Sequence, residues 1–308
     1  MDQRLQIYEV SLRDGLQNES VVVSTEAKLH LLNGLIAAGA RDIEVGAFVS
    51  PRWVPQMADT GDLFRQLPDA PNARFWALIP NRRGLERAMD VDVRCVATFL
   101  SASETHNMKN LNRTIRESLT GLSKVIATAK CEDMKVRSYI STVFGCPYEG
   151  DVPVENTISL ALGLLEAGAD QIALGDTTGM GNPEQVKRII EALVHEGVGL
   201  DQLAIHLHDT RGTAMVNAYA AWQVGIRCFD GSVGGIGGCP YAPGASGNAS
   251  TEDLVYMFEE LGWDTGVSVE ELCASAAYIE GQLGRELSSH LLKVWQSKKA
   301  KHKISQSA

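Results

Sequence analysis

Along the chain, short runs of apolar and β-branched residues alternate with longer stretches whose apolar positions recur at helical spacing. The short runs read as strands at residues 6–12, 42–47, 74–79, 94–100, 136–143, 171–174, 203–207 and 228–232. The longer ones read as helices at 25–38, 115–129, 154–167, 183–195, 215–224 and 251–261. Local signals agree with these limits. Ser24 stands where an N-cap belongs, three residues before Ala27, and Gly39 and Gly168 follow two of the helices. One unit recurs: Ala38-Gly39-Ala40 leads into Asp42-Ile43-Glu44-Val45, Ala167-Gly168-Ala169 into Gln171-Ile172-Ala173-Leu174, and Val224-Gly225-Ile226 into Phe229-Asp230. Repeated strand–helix units over this length predict an α/β fold, the parallel (β/α)8 or TIM barrel, which typically needs about 250 residues. Residues 1–265 are expected to form the barrel, and 266–308 a helical extension with a basic tail packed on it. A doubly wound open sheet is the alternative, but no G-x-G-x-x-G fingerprint follows the first strand.

Composition narrows the class of protein. With 308 residues, 44% of them hydrophobic, the chain has ample material for a core, which excludes a disordered or collagen-like protein. The formal charge of -10 argues against tracking a nucleic-acid backbone. No apolar run is long enough to cross a bilayer, and the opening residues lack the apolar core of a secretory signal. The six cysteines include no C-x-x-C pair, so reduced thiols in a cytoplasm are expected rather than disulfides or structural zinc. The lysines at 298, 299, 301 and 303 read as a solvated end.

In a parallel barrel the chemistry sits at the carboxyl ends of the strands. The polar residues of this sequence collect there: Arg13-Asp14-Gly15 after the first strand, Glu44 on the second, Gly175-Asp176-Thr177 after the sixth, and His206-Leu207-His208-Asp209 on the seventh. His206 and His208 are two residues apart and therefore share a face of the strand, while Leu207 points to the helices. A lone histidine at a strand end is usually just a satisfied polar group. Two on one face, with Asp14 and Asp176 at neighbouring strand ends, form a metal-ligand pattern. Oxygen and imidazole donors without a required thiolate favour Mg2+ or Mn2+, with zinc an alternative for two histidines and an aspartate. Of the other histidines, only His106 is set apart as a site candidate. A glycine- and proline-rich segment follows the eighth strand, from Gly234-Gly235-Ile236-Gly237-Gly238 through Cys239-Pro240-Tyr241 to Gly247-Asn248. It cannot be a helix or strand interior, and its lone Cys239 is placed like a reactive thiol on a functional loop.

Several of these segments resemble one known family. Ser11-Leu12-Arg13-Asp14-Gly15-Leu16-Gln17-Asn18-Glu19, Phe48-Val49-Ser50-Pro51-Arg52-Trp53-Val54-Pro55-Gln56-Met57, Gly145-Cys146-Pro147-Tyr148, Leu174-Gly175-Asp176-Thr177, His206-Leu207-His208-Asp209-Thr210 and the loop from Gly237 to Asn248 are similar to the hydroxymethylglutaryl-CoA lyases, a branch of the metallolyase barrels that carry a D-R-E-type signature. The resemblance runs from about Gln6 to about Ser289. It implies divalent-metal-dependent cleavage of 3-hydroxy-3-methylglutaryl-CoA to acetyl-CoA and acetoacetate, as in leucine breakdown, with no organic cofactor beyond the CoA of the substrate. Position by position, it implies that Asp14, His206, His208 and Asn248 hold the cation. Arg13, Gln17 and Tyr139 would face the substrate, Cys239 would be the active-site thiol, and Glu44, Asp176 and His206 would serve in the catalytic apparatus. A homodimer is also implied.

Two positions depart from the family pattern. Ser20 stands where a lysine is common, and Gly284-Arg285-Glu286 replaces an Asn-Arg-Lys run that grips CoA, leaving Arg285 as the expected phosphate contact. A related substrate, such as a citramalyl-CoA or a longer-branched hydroxyglutaryl-CoA, is the alternative reading. A condensing enzyme of the isopropylmalate synthase type lacks the Cys239 loop and usually adds a regulatory domain. A catalytically silent barrel should have lost at least one of Arg13, Asp14, His206, His208 or Asn248, and all five are present.

Overall fold

The structure is a computed structural model and describes residues 4–238 and 247–306. Eight parallel strands run in chain order around a closed barrel: β1 (Gln6–Glu9), β2 (Asp42–Ala47), β3 (Arg74–Leu78), β4 (Cys95–Ser101), β5 (Lys135–Ser141), β6 (Gln171–Asp176), β7 (Leu203–Leu207) and β8 (Cys228–Gly231), with β8 paired back to β1. Around it lie α1 (Thr25–Ala37), α2 (Thr60–Arg65), α3 (Arg82–Met89), α4 (Glu104–Leu111), α5 (Ile115–Cys131), α6 (Val154–Glu166), α7 (Pro183–His195), α8 (Ala214–Gln223) and α9 (Thr251–Glu260). Two further helices, α10 (Val269–Leu283) and α11 (His290–Gln306), follow. The predicted TIM barrel with extra C-terminal helices is the observed fold. No described helix is long and apolar enough to cross a membrane.

The local signals act as read. The Ser24 hydroxyl accepts the Ala27 N–H at 3.2 Å and caps α1. Gly39 (φ +97°) and Gly168 (φ +106°) take the left-handed conformation that ends a helix before the next strand.

The end of the first strand departs furthest from the sequence pattern. The first strand, expected to reach residue 12, ends at Glu9, and the chain coils into a single π-turn over Ser11–Gly15. Val10 and Leu12 are fully buried, which is why the pattern extends past the strand. Glu9 explains the turn. Its buried carboxylate accepts the N–H of Ser11 at 2.9 Å, the N–H of Val233 at 3.1 Å and the Thr251 hydroxyl at 2.6 Å. Backbone donors that a longer strand would send to its neighbours are thus taken up by one side chain. Gly15 lets the turn close, because a Cβ there would lie 2.6 Å from Ile236 Cγ1.

The barrel interior is partly ionic. The side chains of Arg137 and Asp230 are 0% and 1% exposed and form an ion pair, and the guanidinium lies 3.8 Å from the centre of the Tyr8 ring. A charge pair this deep is retained only where each partner is held by further contacts. The C-terminal helices close the β1–β8 side of the molecule. Helix α10 packs on α1 and α9, and the Asp253 carboxylate accepts the N–H groups of His290 at 3.0 Å and Leu291 at 2.9 Å at the start of α11.

Gly39 provides a test of this packing, since a Cβ there would lie 2.3 Å from the carbonyl oxygen of Gly266. Gly39→Ala should lower stability by about 1–3 kcal/mol, through left-handed strain plus that clash. Urea denaturation followed by circular dichroism measures it, and an unchanged midpoint would contradict the packing described.

Candidate active site and metal centre

The π-turn, rather than a strand, presents Arg13 and Asp14 at the top of the barrel. Strand β7 delivers His206 from its penultimate residue, and His208 follows just past its end, bridged to Asn248 on the returning chain. The three predicted ligands converge. Asp14 Oδ2 lies 3.7 Å from His206 Nε2 and 3.5 Å from His208 Nε2, and the two Nε2 atoms are 3.2 Å apart. Adjacent ligands around an ion bound at about 2.1 Å sit roughly 3.0–3.4 Å apart, so little movement would enclose a divalent cation.

The surroundings fit such an ion. Burial would push the Asp14 carboxyl up, but the Arg13 guanidinium and the two imidazoles more than offset this and hold it well below the usual range. Behind His206, Nδ1 lies 3.0 Å from Asp230 Oδ2. Burial of Asp230 is outweighed by Arg137 and His206, so it stays ionised. The imidazole therefore donates from Nδ1 and turns its Nε2 lone pair towards Asp14 and His208. Asn248 is 2% exposed; its Nδ2 donates to Ile236 O at 3.2 Å, while its Oδ1 is buried with no hydrogen-bond partner among the described residues. A buried carbonyl left without a donor is costly in an apo site and natural for a ligand oxygen. Charge points the same way. Arg13 and Arg137 supply two positive charges against three negative ones on Asp14, Glu44 and Asp230, leaving an excess of one negative charge in this buried network.

Arg13 is held from two sides. Its Nε donates to Glu44 Oε1 at 2.7 Å, it pairs with Asp14, and it lies 5.4 Å from the centre of the Tyr139 ring. Tyr139 donates its hydroxyl to Glu44 Oε2 at 2.7 Å. Glu44, fully buried, thus orients both residues. A cavity of about 700 Å³ opens over this group; Arg13, Asp14, Gln17, Tyr139, His206 and His208 all line it.

The other expected site residues fall differently. Gln17 lines the cavity, and His106 also reaches its wall. Cys239 lies outside the described residues; the preceding Gly238 lines the cavity, and its carbonyl accepts from Asn18 Nδ2 at 3.4 Å. Asp176, expected in the catalytic apparatus, uses its two oxygens on the loop after β6, accepting N–H from Met180 at 2.8 Å and Gly181 at 3.0 Å. Burial raises its pKa, and those amides only partly counter the shift. Arg285, expected on the CoA phosphates, forks instead onto both oxygens of Glu19, with Nε to Oε2 at 3.1 Å. That pair ties the C-terminal extension to the loop after the π-turn. Asp230 and Arg137 are the site residues that motif reading passed over. Strand periodicity offered a signal: Arg137 shares a face with Tyr139 two residues on, and Asp230 pairs in register with His206.

Fold and site together define a barrel enzyme with a prepared cation site at the carboxyl ends of its strands. The HMGL-like family model matches residues 4–279. A hydroxymethylglutaryl-CoA lyase of Bacillus subtilis is 47% identical over 294 residues, covering 96% of this chain and 98% of the relative. A crystal structure of a Bacillus subtilis HMG-CoA lyase superimposes with a TM-score of 0.94 at 46% identity, covering 96% of this chain and 100% of that one. An HMG-CoA lyase from Acinetobacter baumannii, solved with coenzyme A and 3-methylmalate, superimposes with a TM-score of 0.90 at 39% identity, covering 94% and 95% of the two chains. The chain belongs to the HMGL-like family and is a carbon–carbon lyase.

The contact behind His206 can be probed directly. Asp230→Asn removes the charge that fixes the imidazole tautomer and should weaken Mn2+ binding about 10–100-fold. Isothermal titration with Mn2+ reads this, and equal affinities in the two proteins would refute the role given to Asp230.

Proposed function

We propose that the enzyme cleaves 3-hydroxy-3-methylglutaryl-CoA to acetyl-CoA and acetoacetate with the help of a divalent cation, Mg2+ or Mn2+. The observation that carries this reading is the convergence of Asp14, His206 and His208 beside a guanidinium held by Glu44. Asp14, His206, His208 and the Asn248 carbonyl would hold the cation. When bound, it supplies Lewis-acid polarisation of the substrate oxygens.

The chain's own groups account for the rest. The reaction breaks the C2–C3 bond, removes the C3 hydroxyl proton and leaves an electron pair as a thioester enolate on C2. Arg13, permanently charged and pinned by Glu44, places its positive charge where the enolate oxygen forms. Asp176, buried with one loop amide on each oxygen and a lone pair left on each, would take the hydroxyl proton, since His206 gives its Nδ1–H to Asp230 and turns its Nε2 to the cation. Cys239, next to the cavity-lining Gly238, then protonates C2 to give acetyl-CoA. Gln17 and Tyr139 complete the wall around the acyl group. The extension over 266–308 serves here as a brace for the active-site loops through Arg285 and Glu19 rather than as a CoA clamp. We place the enzyme in the cytoplasm as a homodimer; the five described cysteines are all free thiols, which suits a reducing compartment.

Acetyl-CoA release from hydroxymethylglutaryl-CoA tests the reading. Chelator-treated enzyme should be inactive and regain turnover with Mg2+ or Mn2+; release that ignores EDTA would refute it. Arg13→Met should lower kcat about 10²–10³-fold with a smaller change in KM, because the lost charge acts mainly on the transition state. A purely binding role for Arg13 would raise KM at unchanged kcat.

A further inference from the structure

At the end of the barrel away from the cation cluster, a cavity of about 370 Å³ is lined by the first residues of six strands: Gln6, Asp42, Arg74, Gln171, Leu203 and Cys228. The amino ends of the strands in a parallel barrel ordinarily carry no chemistry. Above the cavity the barrel is filled, because the side chains of Tyr8 and Arg137 are fully buried and lie against each other. Four arginines nevertheless line this mouth: Arg4, Arg41, Arg74 and Arg227. Backbone pairing fixes their order around the ring. The Arg227 carbonyl accepts the Gln6 N–H at 2.8 Å and the Arg41 carbonyl accepts the Arg74 N–H at 2.6 Å, so the four stand at the starts of the adjacent strands β8, β1, β2 and β3.

Among the described residues, only Arg74 of the four is paired with a carboxylate. It donates to both oxygens of Asp42 at 2.6 Å, and Asp42 also accepts from Gln6 Nε2 and Trp76 Nε1 at 2.9 Å, which occupies that acid fully. Arg4 and Arg41 make no ion pair and no side-chain hydrogen bond with a described residue. Asp264, beside Arg4 on the returning chain, turns its Oδ1 to the Gly266 N–H at 2.8 Å. Arg227 is held in place without an acid. Its Nη1 donates to the carbonyls of Trp222 at 3.0 Å and Ile226 at 2.7 Å, and its guanidinium lies 4.4 Å from the centre of the Trp263 ring. Burial pulls its pKa down with no carboxylate to offset the shift. Three unpaired guanidiniums thus share the lining with one remaining acid, Asp201, in a chain whose formal charge is -10.

We infer that this mouth is a binding site for a small polyvalent oxyanion, a compact molecule bearing phosphate or carboxylate groups, gripped by Arg4, Arg41 and Arg227 and separate from the lyase centre. A guanidinium presents its N–H groups as a planar fork matched to phosphate and carboxylate oxygens. The cavity stands at the small end of ligand pockets, which suits a compact anion better than a nucleotide. With Arg227 already fixed by its carbonyl and ring contacts, the ordering cost of binding falls on Arg4 and Arg41. No bond is made or broken there. A bound anion joins the starts of β8, β1 and β2 through the three arginines, and by binding only the closed barrel it stabilises the fold.

The test follows the melting temperature of the full chain with Mg2+ as inorganic phosphate or succinate is added at constant ionic strength. Saturating anion should raise the wild-type midpoint by about 2–5 °C. Arg41→Glu, at an exposed side chain, should abolish that rise and leave acetyl-CoA release without added anion unchanged. Arg116→Glu makes the same charge change on an exposed position of α5 and should keep the rise. Arg4→Glu serves as a second block should Arg41→Glu fail to fold. Whichever anion gives the larger Arg41-dependent rise identifies phosphate or carboxylate as the group recognised. No saturable rise with either anion, a rise undiminished in Arg41→Glu, or one lost equally in Arg116→Glu would overturn the inference.

Discussion

A buried, connected set of charges crosses the top of this barrel, and the site depends on it. Arg137 pairs with Asp230, Asp230 orients His206, His206 faces Asp14, Asp14 pairs with Arg13, and Arg13 is clamped by Glu44. Each ion in this series would be expensive alone in a low-dielectric interior. Linked, Arg137 and Arg13 hold Asp230 and Asp14 ionised on either side of the His206 imidazole. The aliphatic core could stabilise many arrangements at the barrel mouth. The charge series selects this one, because misplacing any member would strand its neighbour without a partner.

The rest of the architecture serves that series. Parallel pairing puts β1, β2, β5, β7 and β8 in one ring, so their carboxyl ends meet at one mouth although their residues are scattered over the sequence. Glu9 shortens β1 and turns the next residues into the coil from which Arg13 and Asp14 project. The C-terminal helices brace the same side, with Arg285 gripping Glu19 a few residues beyond that coil.

Much of this was legible in the amino-acid order. Strand and helix periods, the Ser24 cap and the helix-ending glycines are local properties, and they led to the eight strands and six of the helices in the right order, while the short helices α2, α3 and α4 were not read from the pattern. The H-x-H spacing placed His206 and His208 on one face, since alternation along a strand needs no tertiary information. What spacing could not show is how a side chain divides its hydrogen bonds. Asp176 and Arg285 stand at motif positions, yet their polar atoms are claimed by the Met180 and Gly181 amides and by Glu19. Asp230 carries no motif, yet it proves to be the group behind His206.

By itself, the sequence determined the alternation of strands and helices, the inward face of each strand and the residue types needed to bind a hard cation, because these follow from backbone geometry and side-chain chemistry. Only the tertiary structure decided that β1 stops at Glu9 and which carboxylates face the site. Those outcomes depend on competition among groups far apart in the chain for the same few buried donors, acceptors and volumes, and that competition is settled only when the barrel closes.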